Sequence, residues 1–476
     1  MTNIHPNSYW LVLGNPFPYG GGGKHVFNTL KHYNELGIIP ILYTPLSDLI
    51  MNIFLDEVSR NDTTKKSLQD LECFDVIIPS IIYDIIEQIY DDLASYLESF
   101  MKRGLAWTYH RMKRSLKYKK LNLMHAYSFL KNLLSENKNI VNKIEVVYSP
   151  HELSSSLLVG HFLARSLNKE FYVLLQLEPF ISLQKAVFDD WFYHVTICKE
   201  STVKELIRAV LLMLQTILES TRSTYHRAIK DGVLRGLLSV SASPLVLSGL
   251  DYLSSKMGIS TRIVKPSNAV SNELAKYSEY NERVKLLEKK EDFAVYFARL
   301  RAQKGLFEIP MIAKKLERNG YSTIVIGRFD NLTEKQAFFK KLEDLNVRSL
   351  RYVGWLPTQD LWNILSKAKV LIYPSHSDSF SLTVLEALFL GCSVVAYDIP
   401  AITSVYGSLK PVRIVREYDV RAMSDEAIRV LKKASHEHVE EHTDDSLMRF
   451  LEMHSSWRNV AEAEINAIRE IRSNQR

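Results

Sequence analysis

Apolar positions in the first 45 residues form two short blocks with a periodic stretch between them. Residues 9–14 (YWLVLG) are a continuous apolar run, as a strand buried on both faces requires. Residues 15–23 (NPFPYGGGG) read as a turn. From 24 to 36, Val26, Leu30, Tyr33 and Leu36 recur at helical spacing; Gly37 ends the helix and 38–43 reads as a second strand. A strand, a glycine-rich turn, a helix and a strand make the repeating unit of a doubly wound parallel sheet. Further strand-like runs fall at 75–79, 144–148, 171–177, 237–240 and 262–265, and 201–235 is strongly helical. After a charged stretch at 277–291 (YSEYNERVKLLEKKE), a second series of strands is predicted at 293–298, 322–326, 347–353, 370–373, 393–397 and 412–415. The expected fold is α/β, with two Rossmann-like doubly wound domains facing a central cleft. The expected limits are 1–276 for the first domain, with helical insertions at about 81–142 and 201–236, then a linker at 277–291 and a second domain at 292–455.

Composition narrows the class. A chain of 476 residues exceeds one ordinary core, which favours two domains. Apolar residues make up 46% and charged residues 24%, an ordinary globular balance. No apolar run is long enough for a membrane span, and the N-terminus lacks the pattern of a signal peptide. Cys73, Cys198 and Cys392 are few and far apart, which suits a reducing compartment and gives no zinc spacing. These features place the chain in the cytoplasm. The net charge of +6 is too small to imply nucleic acid. It is unevenly spread, however. Residues 101–120 (MKRGLAWTYHRMKRSLKYKK) hold eight Lys or Arg and no acid, interleaved with Trp107, Tyr109 and Tyr118. Such a helix suits the anionic inner face of a membrane, as a peripheral contact, and equally suits a solvated helix face.

The densest chemistry lies at 373–388 (YPSHSDSFSLTVLEAL), followed by Gly391-Cys-Ser-Val-Val395. A strand ends at Pro374, a polar loop follows, and a helix starts near Ser381. The free amides and dipole of a helix N-terminus form a phosphate site. Asp378 in the loop and Glu386 in the helix could hold the two sugar rings at either end of one diphosphate.

This stretch resembles the signature of retaining GT-B glycosyltransferases of family four (glycosyl transferases group 1), in which two acids are separated by seven residues. Asp378 and Glu386 have that spacing, and Phe380, Leu382, Ala387, Gly391, Val394 and Val395 match in place. The first acid is usually Glu, and the two glycines flanking the Phe are here Ser379 and Ser381. The resemblance implies that Glu386 binds the donor ribose, that Asp378 contacts the donor sugar, and that amides near Ser381 and Leu382 hold the phosphates. A second element at 297–306 (FARLRAQKGL) is similar to the family's Arg and Lys-Gly-Leu pattern and implies that Arg299 and Lys304 bind the diphosphate. A fork-shaped guanidinium and a compact ammonium are suited to stabilising a departing diphosphate.

Other matches are shorter. Residues 325–329 (VIGRF) and 352–357 (YVGWLP) resemble strand ends that edge the nucleotide, implying backbone contacts at Gly327, Val353 and Gly354, with Trp355 read as core. Gly21, Gly22 and Gly23 resemble the glycine loop that approaches the donor phosphates. On the acceptor side, His151 in the turn 147–152 (VYSPHE) and Gln176 and Glu178 at the end of 172–180 (YVLLQLEPF) stand where relatives carry a strand-end histidine. A Ser-Trp element at 455–461 opens a last helix, 456–476, which in this family crosses back to the first domain.

The reading is therefore a metal-independent, retaining hexosyltransferase. Its donor is a UDP-, GDP- or ADP-sugar bound mainly by the second domain, and its acceptor a glycan or lipid-linked sugar. In such enzymes the leaving diphosphate helps deprotonate the acceptor on the same face of the sugar. No Asp-x-Asp metal-binding pair occurs in the chain, and no other cofactor is expected. Catalytic roles fall on Asp378, Arg299 and Lys304. A nucleotide-sugar-binding scaffold without activity, or another GT-B enzyme such as a sugar-nucleotide epimerase, are the alternatives.

Overall fold

The computed structural model describes residues 8–14, 20–45, 104–136, 138–178, 222–330 and 332–475. The expected strand at 75–79, the turn at 15–19 and the stretch 201–221 lie outside the described residues, as do the side chains of the basic run up to 118.

Among the described residues, twelve strands form two six-stranded sheets, parallel throughout. The first contains β1 (Ser8–Leu13), β2 (Ile38–Tyr43), β3 (Ile144–Ser149), β4 (Glu170–Leu175), β5 (Leu234–Ser239) and β6 (Ser260–Ile263), in the order β2-β1-β3-β4-β5-β6. The second contains β7 (Glu291–Phe297), β8 (Ser322–Ile326), β9 (Leu350–Gly354), β10 (Ala368–Tyr373), β11 (Ser393–Tyr397) and β12 (Val412–Val415), in the order β12-β11-β10-β7-β8-β9. All six residues of β10 and all five of β11 are buried, which explains their unbroken apolar character. Strand order reverses between β1 and β3 in one sheet and between β7 and β10 in the other. Open parallel sheets bind ligands in the crevice outside the carboxyl ends of strands at such a reversal. This topology selects four segments: the chain after β1, after β3, after β7 and after β10.

Two details depart from the sequence expectations. Helix formation begins at Gly20, so Gly21, Gly22 and Gly23 lie in the first turn of the helix Gly20–Tyr33 rather than in the preceding turn. Residues 277–291, the expected linker, include the helix Tyr280–Leu287 and the start of β7. Leu286 and Leu287 are buried there, and so is Arg283, whose guanidinium donates to the carbonyls of Leu388 (3.1 Å), Phe389 (3.4 Å) and His442. The first two are terminal carbonyls of the helix Leu382–Phe389, where a cation is favoured. Arg283 thus caps a buried helix end. Finally, Trp355 is not core: it is 72% exposed.

The last helix, Trp457–Asn474, packs on the first sheet. Ala461, Ile465, Ile468 and Ile471 share a core with Trp10, Val12, Val26, Leu30 and Tyr172. Glu464 is fully buried on that face. Its carboxylate accepts hydrogen bonds from Tyr33 (2.6 Å) and Tyr148 (3.0 Å) and pairs with His25 Nε2. A buried carboxylate persists only when it is so supplied with donors.

Candidate functional site

The loop after β10 is the centre of the site. Asp378 Oδ2 accepts from Lys304 Nζ (3.0 Å) and from the hydroxyl of Tyr373, and Oδ1 accepts from the Ser379 amide (3.0 Å). Burial and the neighbouring carboxylate push the Tyr373 hydroxyl well above its ordinary pKa, so it stays a proton donor. Lys304 also donates to the Ser377 carbonyl at 2.9 Å. The helix Leu382–Phe389 starts immediately beyond, with Ser381 as its N-cap: the Ser381 hydroxyl accepts from the Val384 amide at 3.2 Å. Leu382 is half-buried in its first turn, and Glu386 is half-buried further along.

Lys304 reaches this loop because of the residue that follows it. Gly305 adopts φ of 74°, and a Cβ there would lie 2.1 Å from the Pro374 carbonyl oxygen. Only glycine lets the turn after β7 pack against the loop after β10. The amide of His376 then donates to the Gln303 carbonyl at 3.0 Å, closing the two turns on each other. Gly327 is constrained in the same way, with φ of 142° and a virtual Cβ 2.0 Å from the Ala298 carbonyl oxygen. Its amide donates to the Gly354 carbonyl at 2.8 Å, which brings the ends of β8 and β9 together. Val353 is half-buried at that edge.

Arg299 stands apart from the Lys304–Asp378 pair. Its side chain is 73% exposed and lies 3.9 Å from Asp330 at its nearest approach. The structure thus joins Lys304, Asp378, Ser381 and Leu382 in one locality and leaves Arg299 extended into solvent.

The first domain contributes a wall that touches the same loop. Ser241 Oγ donates to the Ser379 carbonyl (2.5 Å), and Ser243 Oγ donates to the Asp378 carbonyl (2.8 Å). Ser243 Oγ also lies 3.5 Å from Glu178 Oε1. Gln176 is tied to the turn after β3: its side-chain amide donates to the Pro150 carbonyl (2.7 Å) and its backbone amide to Glu152 (2.8 Å). His151 Nδ1 lies 3.9 Å from Glu152 Oε2. Phe380 packs against the cores of both domains.

Several of these residues escaped the sequence reading. Tyr373 looked like the end of a strand, and Ser241 and Ser243 like small residues after one. Glu152 was visible only as part of a polar turn. A further ionic cluster flanks the loop: His376 bonds Glu308 (2.8 Å) and Glu417 (2.9 Å) and stacks on Tyr418. Burial alone would lower the His376 pKa, but the two carboxylates outweigh it and raise it to about 9. Ser379 replaces a family glycine; it is buried, and its hydroxyl has no hydrogen-bond partner among the described residues. Among the described residues no group of three or more His, Cys, Asp or Glu is arranged to hold a metal ion.

Two parallel sheets with a site at the carboxyl ends of their reversal strands define a GT-B fold. Residues 278–443 match the family model of glycosyl transferases group 1. Among curated proteins, the chain is similar to the O-antigen chain mannosyltransferase B of Escherichia coli, 34% identical over 58 residues. That match spans 12% of this chain and only 15% of the relative. Among solved structures it is similar to a glycosyltransferase from Rickettsia africae, with a TM-score of 0.57 and 11% identity over 99% of this chain and all of that one. It is also similar to Anabaena HepE in complex with UDP and glucose, with a TM-score of 0.52 and 10% identity over 96% of this chain and 98% of that one.

Proposed function

We propose that this chain is a retaining glycosyltransferase that moves a sugar from a nucleotide-sugar to a glycan or lipid-linked acceptor, without a metal ion. The observation that carries the reading is the Lys304–Asp378 pair set at the N-terminus of the helix Leu382–Phe389. There an ammonium and free helix amides await an anion, and a carboxylate awaits sugar hydroxyls. The same pair weighs against an inactive scaffold.

In this reading the donor diphosphate lies against the helix N-terminus, with Lys304 and the extended Arg299 neutralising it. Glu386 takes the ribose, and the backbone at Gly327, Val353 and Gly354 takes the base. Asp378 takes donor-sugar hydroxyls, and the unpartnered Ser379 hydroxyl is a further donor for a substrate oxygen. Gly21, Gly22 and Gly23, in the first turn of their helix, present amides to the phosphates from the opposite domain. The bond between the anomeric carbon and the diphosphate oxygen breaks, and a bond to the acceptor oxygen forms on the same face. The acceptor proton passes to the diphosphate. His151, Gln176 and Glu178 line the acceptor side.

The bound UDP of the Anabaena protein and the mannosyltransferase likeness nominate UDP- and GDP-sugars, with ADP-sugars as the third choice. Nucleotide release from each, measured with and without added glycan, tests the reading. Release that Lys304→Ala abolishes supports it; no release from any of them contradicts it.

The helix Gly104–Glu136 favours an acceptor at a membrane surface. Its described portion exposes Met124, Tyr127 and Leu134 beside Lys120 and Lys131, continuing the basic run. Among the described residues no helix is long and apolar enough to cross a membrane. Co-sedimentation with anionic but not neutral vesicles is the expected outcome. Equal binding to both, or to neither, would remove the membrane from this account.

A further inference from the structure

The mechanism above leaves the buried carboxyl of Glu152 unused. Glu152 is 5% exposed and sits just past the end of β3, at the first domain's strand reversal. Its turn is folded by Ser149, whose hydroxyl donates to the His151 carbonyl at 2.6 Å. Glu152 Oε2 accepts the Gln176 amide at 2.8 Å, and the Gln176 side chain returns to the Pro150 carbonyl at 2.7 Å. The end of β4 is thereby held to the end of β3 by two bonds from one residue. Two residues beyond Gln176 stands Glu178, within 3.5 Å of the Ser243 hydroxyl. That hydroxyl has one proton, and the Asp378 carbonyl at 2.8 Å takes it. Glu152 thus fixes the turn at 176–178, and Glu178 at the end of that turn lies beside Ser243, which bonds the peptide of the donor-site aspartate in the other domain.

We propose that Glu152 is a positioning residue for the acceptor side of this site: by anchoring the turn at 176–178 it sets where Glu178 stands relative to the Asp378 peptide. The inference rests on the glycosyltransferase reading given above. Asn or Gln would supply the same acceptor oxygen without charge, so the choice of a carboxyl here has a consequence. Burial pushes the Glu152 carboxyl up to about 7, with the charge of Glu178 adding to the rise and the amides of Gln176 and Leu177 opposing it. The groups facing it are His151 on its own turn, Gln176 and Glu178 on the β4 side, and Tyr225 from the helix Arg222–Lys230. When Glu152 ionises, its charge repels that of Glu178 at the other end of the turn.

The test uses the full chain, with UDP, GDP and ADP as binding probes and hydrolysis of the matching sugar nucleotide, water acting as acceptor. Glu152→Ala is expected to keep the thermal stabilisation by the nucleoside diphosphate while hydrolysis falls about tenfold or more. Glu152→Gln retains an oxygen for the Gln176 amide; it is expected to restore the rate to within about twofold and to lose the inflection near pH 7 expected of the wild type. A merely structural Glu152 would not move that inflection. Wild-type hydrolysis in Glu152→Ala, or an inflection unchanged in Glu152→Gln, overturns the proposal while leaving the donor site intact. A wild type that no diphosphate stabilises overturns the glycosyltransferase reading first, and this one with it.

Discussion

The crevice between β7 and β10 and the crevice between β1 and β3 occupy equivalent points of two similar sheets, but they present different chemistry. The first is made of backbone packed on backbone: Gly305 against Pro374, Gly327 against Ala298, and a helix N-terminus. Its projecting charges are cations, Lys304 and Arg299, with Asp378 held between Lys304 and Tyr373. The second offers side-chain oxygens: Glu152, Gln176, Glu178 and Ser243. A diphosphate asks for fixed amides and positive charge, and these must be preorganised to act. A hydroxyl-bearing acceptor asks for carboxylates and amide oxygens. The contrast supports the proposed division, with the donor on the second domain and the acceptor on the first.

The sharpest break of this contrast is Lys304→Ala. It removes the charge opposite the departing diphosphate and leaves the Asp378 carboxylate with one partner fewer. Losing one preorganised donor to developing charge costs roughly 10²–10³ in rate, about 2.7–4 kcal/mol. Steady-state nucleotide release should show that drop in kcat with the fold unchanged by circular dichroism; a change confined to KM would argue that Lys304 only binds.

Next comes the packing of backbone on backbone. Gly305→Ala places a Cβ against the Pro374 carbonyl at a positive φ, whereas Gly320→Ala has a similar φ of 84° with nothing within 4 Å. The first should cost roughly 2–4 kcal/mol and displace the loop carrying Asp378. The second should cost only the left-handed conformation, about 1–2 kcal/mol. Equal losses in urea unfolding would mean the close approach is not what matters.

Acid should set the two domains against each other. Burial lowers the pKa of His438 to about 3 and of His454 to about 4, both in the C-terminal half. Their unfolded forms titrate near 6.5. The folded state holds fewer protons below that value, so these groups contribute stability above pH 6.5 and lose it as pH falls. The loss between pH 7 and 5 is on the order of 2 kcal/mol for each. Glu152 in the first domain has the opposite sign. Its folded pKa is raised, so its contribution is present below about 4.5 and lost as pH rises through 7. Unfolding followed by hydrogen exchange at both pH values should show the second domain weakening first on acidification. The reverse order would contradict the histidine assignments.

The smallest expected effect is at the bridge between the domains. Ser243→Ala removes a single neutral hydrogen bond to the Asp378 carbonyl, worth about 1 kcal/mol. Hydrolysis should fall a few-fold with nucleotide stabilisation unchanged. A loss as large as that of Lys304→Ala would mean that the hydroxyl touches substrate.

How much of this could be read from residue order follows from the range of each interaction. Strands Ser322–Ile326, Ser393–Tyr397 and Val412–Val415 coincide with the expected runs because a parallel strand buried on both faces is apolar throughout. The Ser381 cap and the position of Asp378 before it are local features and were equally legible. What was not legible acts across the chain. Ser243 meets a carbonyl 135 residues away, and Arg283 caps a helix end more than 100 residues on. Residue type alone does not reveal such partners. Trp355 misled for a related reason: aromatic residues are buried on average, and here the left-handed Gly354 turns the next residue outward.

The central claim is that the second domain holds a nucleoside diphosphate. The most direct test is a thermal-shift panel of UDP, GDP and ADP against wild type and Glu386→Ala. A ligand at 100 times its Kd adds about 2.7 kcal/mol of stability. One diphosphate that stabilises the wild type and not the variant is the predicted result, and it would name the donor base. No stabilisation by any of the three would contradict the account.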